Sequence, residues 1–236
     1  MRRSAHITGK AEPERSRTSS AGDPAPGQAP SVHGKSWRSE LSALDRALYA
    51  AVAETATPQL DAALRPLTSA ADYSRLWLGT AAVMALTGGS TGRRSALHGI
   101  VAIGLASVTV NQVFKRASQR TRPDRDSAFV PDARRVRMPT STSFPSGHSA
   151  SAFAFAEAIG HTLPWVAGPV RLAALVVAFT RVHSGVHYPG DVIAGILIGI
   201  ACGELAPMAV DGALARWHRS RKPSSPLRVG NAPHRH

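Results

Sequence analysis

The chain has 236 residues, with 28 Lys and Arg against 15 Asp and Glu, for a formal charge of +13. That length allows one domain and a tail, and the charge implies an anionic partner. Aromatic residues make up only 6% and no basic–aromatic patch stands out, so nucleic acid is disfavoured against an anionic membrane surface or a phosphate substrate. The single cysteine, Cys202, lies inside an apolar run, which excludes an intramolecular disulfide and suits a small packing residue.

Residues 1–40 are rich in Ser, Gly, Pro and Ala, with mixed charge and one aromatic, Trp37. Such a composition cannot bury enough surface to order itself, and it predicts a disordered basic tail. No apolar stretch follows Arg2-Arg3, so neither a signal peptide nor a twin-arginine signal is expected. Over 41–66, Leu41, Leu44, Leu48 and Val52 recur at helical spacing opposite Asp45, Arg46 and Glu54. The segment is too polar to span a bilayer, and it either lies on a membrane surface or packs on the domain.

Five apolar runs follow, near 74–89, 96–114, 149–163, 165–180 and 192–210. Several are shorter than the roughly 20 residues of a spanning helix. Together they predict an all-α fold, a multi-pass transmembrane helical bundle over 70–210, followed by a basic C-terminal tail over 211–236. Gly195, Gly199 and Gly203 recur every four residues, as do Ala150, Ala154 and Ala158, a spacing of small residues that lets helices approach closely. Glu157, inside the third run, suits either a functional intramembrane carboxylate or a neutral hydrogen-bonded packing residue, the second being preferred.

Polar residues gather where the runs stop. The segment from Arg181 to Asp191 separates the last two runs, and Pro189 suits the first turn of a helix that Asp191 would favour. From there a carboxylate can accept Nδ1–H of His187, leaving Nε2 as a nucleophile or base. A polar interhelical turn would contain the same residues. Ser146 is a candidate N-cap before the third run, with Gly147 and His148 in its first turn, a cradle for an anion or an ordinary capped helix start. Lys115 and Arg122 end the second run, but Pro123 disfavours helix at Arg122 and leaves their common facing open. If runs two to five alternate in direction, all these corners fall on one face. Three cations, a helix N-terminus and two histidines there describe a phosphoryl-transfer site without an obligatory metal.

The constellation resembles the type 2 phosphatidic-acid phosphatase and haloperoxidase superfamily, whose pattern is K-x6-R-P, then P-S-G-H, then S-R-x5-H-x3-D. Here the pattern reads Lys115…Arg122-Pro123, Pro145-Ser-Gly-His148 and Thr180-Arg181…His187…Asp191, with Thr180 in place of serine. The resemblance implies that Lys115, Arg122, Ser146, Gly147 and Arg181 hold phosphate oxygens. It implies that His187, oriented by Asp191, attacks phosphorus to form a phosphohistidine, while His148 protonates the leaving oxygen and then activates water. No cofactor is implied. The resemblance implies a lipid phosphate and the bilayer as partners, with a polyprenyl-type or phosphatidic-acid-type phosphate or pyrophosphate as the substrate. A non-catalytic binder of anionic lipid would have no use for His187 beside Asp191. A zinc site at His183 and His187 lacks the glutamate that metalloproteases use, and Pro189-Gly190 interrupts the helix. Haloperoxidases of the same superfamily are soluble, which favours a phosphatase. With charges that have no catalytic role counted alone, Arg93, Arg94, Arg171 and the C-terminal arginines put the opposite face in the cytoplasm and the catalytic face outside the cell membrane.

Overall fold

The computed structural model describes residues 36–221, so most of the predicted N-terminal tail, and the chain beyond Arg221, lie outside the described residues. Helix begins at Trp37, earlier than the composition suggests. The amphipathic stretch divides into α1 (Trp37–Glu54) and α2 (Pro58–Ala70). The cause is local: a residue before proline is driven out of the helical region, and Pro58 then occupies the first turn of the next helix. The leucine face of α1 is turned outward, with Leu41 and Leu44 each 56% exposed, while Asp45, Tyr49 and Ala53 face the bundle.

Next come α3 (Arg75–Thr87), α4 (Gly89–Ala117), α5 (Gly147–Gly160), α6 (Pro164–His183) and α7 (Pro189–Ser220). Proline at the first turn starts both α6 and α7. The last helix runs through Ser220, so residues 211–220 of the expected C-terminal tail are helical. Among the described residues three helices, α4, α6 and α7, are long and apolar enough to cross a membrane. The other two apolar runs form shorter helices. At 14 residues α5 rises only about 21 Å, against about 30 Å of hydrocarbon.

Helix α5 is the centre of the bundle. Ala150, Ala152, Ala154, Phe155, Ala156 and Ala158 are fully enclosed, with α4, α6 and α7 packed around them. The two small-residue series predicted from the sequence meet here. A Cβ added at Gly199 would stand 2.5 Å from the Ala150 carbonyl oxygen, and one at Gly195 2.4 Å from that of Ser146. These glycines therefore bring the α7 backbone directly onto α5 and fix the site's two halves against each other. Glu157 is an ionic partner rather than a neutral packing residue: its carboxylate takes both Nε, at 2.9 Å, and the terminal nitrogen, at 2.5 Å, of Arg171.

Candidate active site

At the end of α4 a π-helical turn over Thr109–Phe114 adds a residue to the helix, rotating the residues after it by about 100°. Lys115 comes immediately after this turn and donates from Nζ to the Ser141 hydroxyl at 3.0 Å. Arg122 is beyond the helix, and a terminal nitrogen donates to that same hydroxyl at 3.3 Å. Ser141 therefore joins two cations whose common facing helical spacing leaves open.

His187 is buried in the turn between α6 and α7, its backbone N–H donating to the Arg181 carbonyl at 3.1 Å. Arg122 donates to the Val186 carbonyl at 2.8 Å and approaches His187 Nε2 at 3.2 Å. A guanidinium has only donors, so this contact assigns the Nε2 lone pair as acceptor and the ring proton to Nδ1. Nδ1 stands 3.5 Å from Asp191 Oδ2, longer than a formed hydrogen bond. Burial pushes the His187 pKa below the ordinary imidazole value; Arg122 and Arg181 add to that, while the Asp191 contact opposes it. At neutral pH the ring is uncharged.

Asp191 is fully enclosed at the start of α7. Its carboxylate accepts from Arg120 at 2.9 Å, from the Ser143 hydroxyl, and from the Tyr188 N–H at 3.0 Å. Its carbonyl accepts the Ser146 N–H at 2.9 Å, tying α7 to the start of α5. That bond occupies one of the backbone donors of the expected anion cradle. The Ser146 side chain caps α5, its oxygen accepting the Ser149 N–H at 3.4 Å and also the Ser149 hydroxyl at 3.0 Å. At Gly147 a Cβ would meet only Val110, at 3.8 Å, so packing does not require glycine there.

His148 Nε2 is 3.1 Å from Asp72 Oδ1, and the same oxygen is 4.0 Å from a terminal nitrogen of buried Arg181. A cavity of about 370 Å³ opens beside His148, with Lys115, Asp72, Trp77, Asn111 and Gly147 in its wall. His183 takes no part in this cluster: its Nε2 is 2.8 Å from Asp61, which also pairs with buried Arg134 at 2.8 Å. Two carboxylate–histidine contacts, three converging cations and a hollow beside them can bind a phosphoryl group and move protons around it.

Residues 96–212 match the PAP2 superfamily. A decaprenylphosphoryl-5-phosphoribose phosphatase of Mycobacterium tuberculosis is 32% identical over 171 residues, covering 70% of this chain and 86% of that protein. The chain belongs to the PAP2 superfamily. The crystal structure of Aquifex aeolicus LpxE superposes with a TM-score of 0.57 at 26% identity, over 69% of this chain and 94% of that one. A PAP2-type phosphatidylglycerolphosphate phosphatase from Bacillus subtilis shares the fold, with a TM-score of 0.53 at 22% identity over 82% of this chain and 92% of that one. As a PAP2 protein the chain is an enzyme, a phosphatase built as a multi-pass membrane bundle.

The eight site residues that the resemblance implies lie at the same end of this bundle. Four others have no place in that pattern. Ser143 and Arg120 hold Asp191, Asp45 pairs with Arg120 and accepts the Gly190 N–H at 2.6 Å, and Asp72 meets His148. In the sequence Arg120 is one of several basic residues in a cluster, and its stacking on Tyr188, 4.4 Å from the ring centre, has no local signal.

Proposed function

We propose that this phosphatase hydrolyses a lipid phosphate or pyrophosphate through a phosphohistidine on His187. The observation that carries the reading is the pair of contacts on His187, with Arg122 at Nε2 and Asp191 at Nδ1. They present a neutral nitrogen nucleophile beside the cations an incoming phosphate needs. Phosphate oxygens take over the Arg122 donor and engage Lys115, Arg181, the Ser146 hydroxyl and the Gly147 N–H. His187 Nε2 then bonds to phosphorus as the ester P–O bond breaks, and the positive charge on the ring is met by Asp191. His148 gives the leaving oxygen its proton, then removes one from the water that cleaves the P–N bond. The name of the mycobacterial relative supports a polyprenyl-linked substrate bearing a terminal phosphate. A panel of polyprenyl phosphates, phosphatidic acid and a phosphorylated polyprenyl-phosphoryl sugar, assayed for released phosphate in detergent with EDTA, tests the reading. Activity in EDTA on at least one lipid supports it, and none on any contradicts it.

We place the site on the extracytoplasmic side of the cell membrane. Two arginines of the opposite face are neutralised, Arg94 by Asp211 and Arg171 by Glu157, so that assignment rests on Arg93 and the arginines from Arg216 onward. Single cysteines at Ser127 and Ser224 in a Cys202→Ala background, probed in intact cells with an impermeant thiol reagent, decide it. Ser127→Cys is expected to label and Ser224→Cys to stay unlabelled; the reverse places the site in the cytoplasm.

A further inference from the structure

The phosphohistidine reading gives His148 two opposite tasks, donating a proton to the leaving oxygen and taking one from water. Both need a ring that is held in place with one nitrogen free. His148 sits in the first turn of α5, where burial, the cation of Arg181 and the ring of His187 push its pKa down to about 4, and the contact with Asp72 opposes them. Its Nε2 is 3.1 Å from Asp72, and this is the contact its ring makes among the described residues.

Asp72 comes from a different part of the chain. It begins the short 3-10 turn Asp72–Ser74 between α2 and α3, behind buried Ala71. The next two residues, Tyr73 and Ser74, both take left-handed backbone, with φ of 55° and 58°. Non-glycine residues adopt that conformation at a cost, so surrounding contacts must hold it. The turn carries the Asp72 carboxylate to the rim of the cavity, where it touches His148 and approaches Arg181. No part of the three-part motif predicts a carboxylate at this place.

We propose that Asp72 is a positioning residue for the acid–base step, accepting the Nε2 proton of His148 and leaving Nδ1 as the atom that exchanges protons with the leaving group and with water. This rests on the phosphohistidine reading. The two histidines then carry opposite tautomers, Asp191 holding His187 through Nδ1 and Asp72 holding His148 through Nε2. The first step uses the doubly protonated form of His148, which the Asp72 carboxylate and the negative charge of a bound phosphate both favour. Its Nδ1 proton passes to the alkoxide as the P–O bond breaks and the His187 Nε2–P bond forms. In the second, neutral Nδ1 takes a proton from water while the water oxygen bonds to phosphorus and the P–N bond breaks. One water is consumed, alcohol and inorganic phosphate are released, and His148 is again doubly protonated.

The test compares kcat/KM, which reports the steps through phosphoryl transfer, on dodecyl phosphate and p-nitrophenyl phosphate. The first leaves as a strongly basic alkoxide and needs an acid; the second leaves as a stabilised phenolate and depends on one far less. Asp72→Ala is expected to lower the dodecyl phosphate value by about ten- to a hundredfold, the scale seen where metal-binding histidines lose their carboxylate partner. The p-nitrophenyl phosphate value should fall by much less. Asp72→Asn keeps an acceptor oxygen without the charge and should fall between wild type and Asp72→Ala. In a His148→Ala background, Asp72→Ala should add almost nothing, because the residue acts through the histidine. Equal losses on both substrates, or a full additional loss in His148→Ala, would overturn the proposal. A gain in kcat/KM with tighter inhibition by inorganic phosphate would also overturn it, by showing that Asp72 merely occupies the anion seat. If Asp72→Ala does not yield a monodisperse protein in detergent, the Asp72→Asn comparison alone decides the substrate dependence. Inactive wild type, or active His187→Ala, marks failure of the phosphohistidine reading instead.

Discussion

His187→Ala is expected to lower lipid-phosphate turnover by about four orders of magnitude or more, the scale on which covalent catalysis fails without its nucleophile. The protein should still fold, because the neighbours of His187 keep other partners. Arg122 retains the Val186 and Ser141 carbonyls, and Asp191 retains Arg120, Ser143 and the Tyr188 N–H. The elution volume of the variant in detergent should therefore match wild type while phosphate release disappears. Comparable turnover in the two proteins would remove His187 from the chemistry and leave the cation cluster as an anion-binding site.

The second large effect concerns the bundle that holds the site. Gly199→Val should sharply reduce the yield of monodisperse protein and its thermal midpoint. Even the first carbon of a side chain there meets the Ala150 carbonyl oxygen at 2.5 Å and Phe153 Cβ at 2.9 Å. Neither neighbour can rotate away, since one is backbone and the other is attached directly to it. Overpacking of this kind costs about 1–3 kcal/mol, and valine adds further atoms in the same gap. Gly104→Val provides the comparison, because a Cβ at Gly104 meets nothing within 4 Å. Equal behaviour of the two variants would show that the close approach of α5 and α7 does not limit folding.

These two sites also mark how far the sequence is legible. The pattern residues can be identified because spacing survives without structure: His187 and Asp191 stay four apart wherever the chain goes, and the apolar runs between motifs set which ends meet. The glycine series is legible for the same reason, since its four-residue period places one face of α7 against another helix. Asp45 and Asp72 are not legible, because their partners lie far along the chain. Asp45 even lies on the polar side of an amphipathic pattern, which predicts solvent, yet that side of α1 faces the bundle and meets Arg120 and Gly190. A hydrophobic pattern normally turns apolar residues inward. Around α1 the leucines point outward, so the usual inference assigns the wrong face. The Ser146 N–H reads as a donor for phosphate because a helix start leaves such groups free; the Asp191 carbonyl that takes it comes from another helix.

The most direct measurement is a rapid-quench experiment with a lipid substrate carrying radiolabelled terminal phosphate, analysed under both alkaline and acidic conditions. A phosphohistidine survives alkali and is lost in acid, so the account predicts an alkali-stable, acid-labile label on the peptide containing His187, formed within one turnover and absent from His187→Ala. Label on another residue, or steady turnover with no covalent phosphate at any quench time, would contradict it.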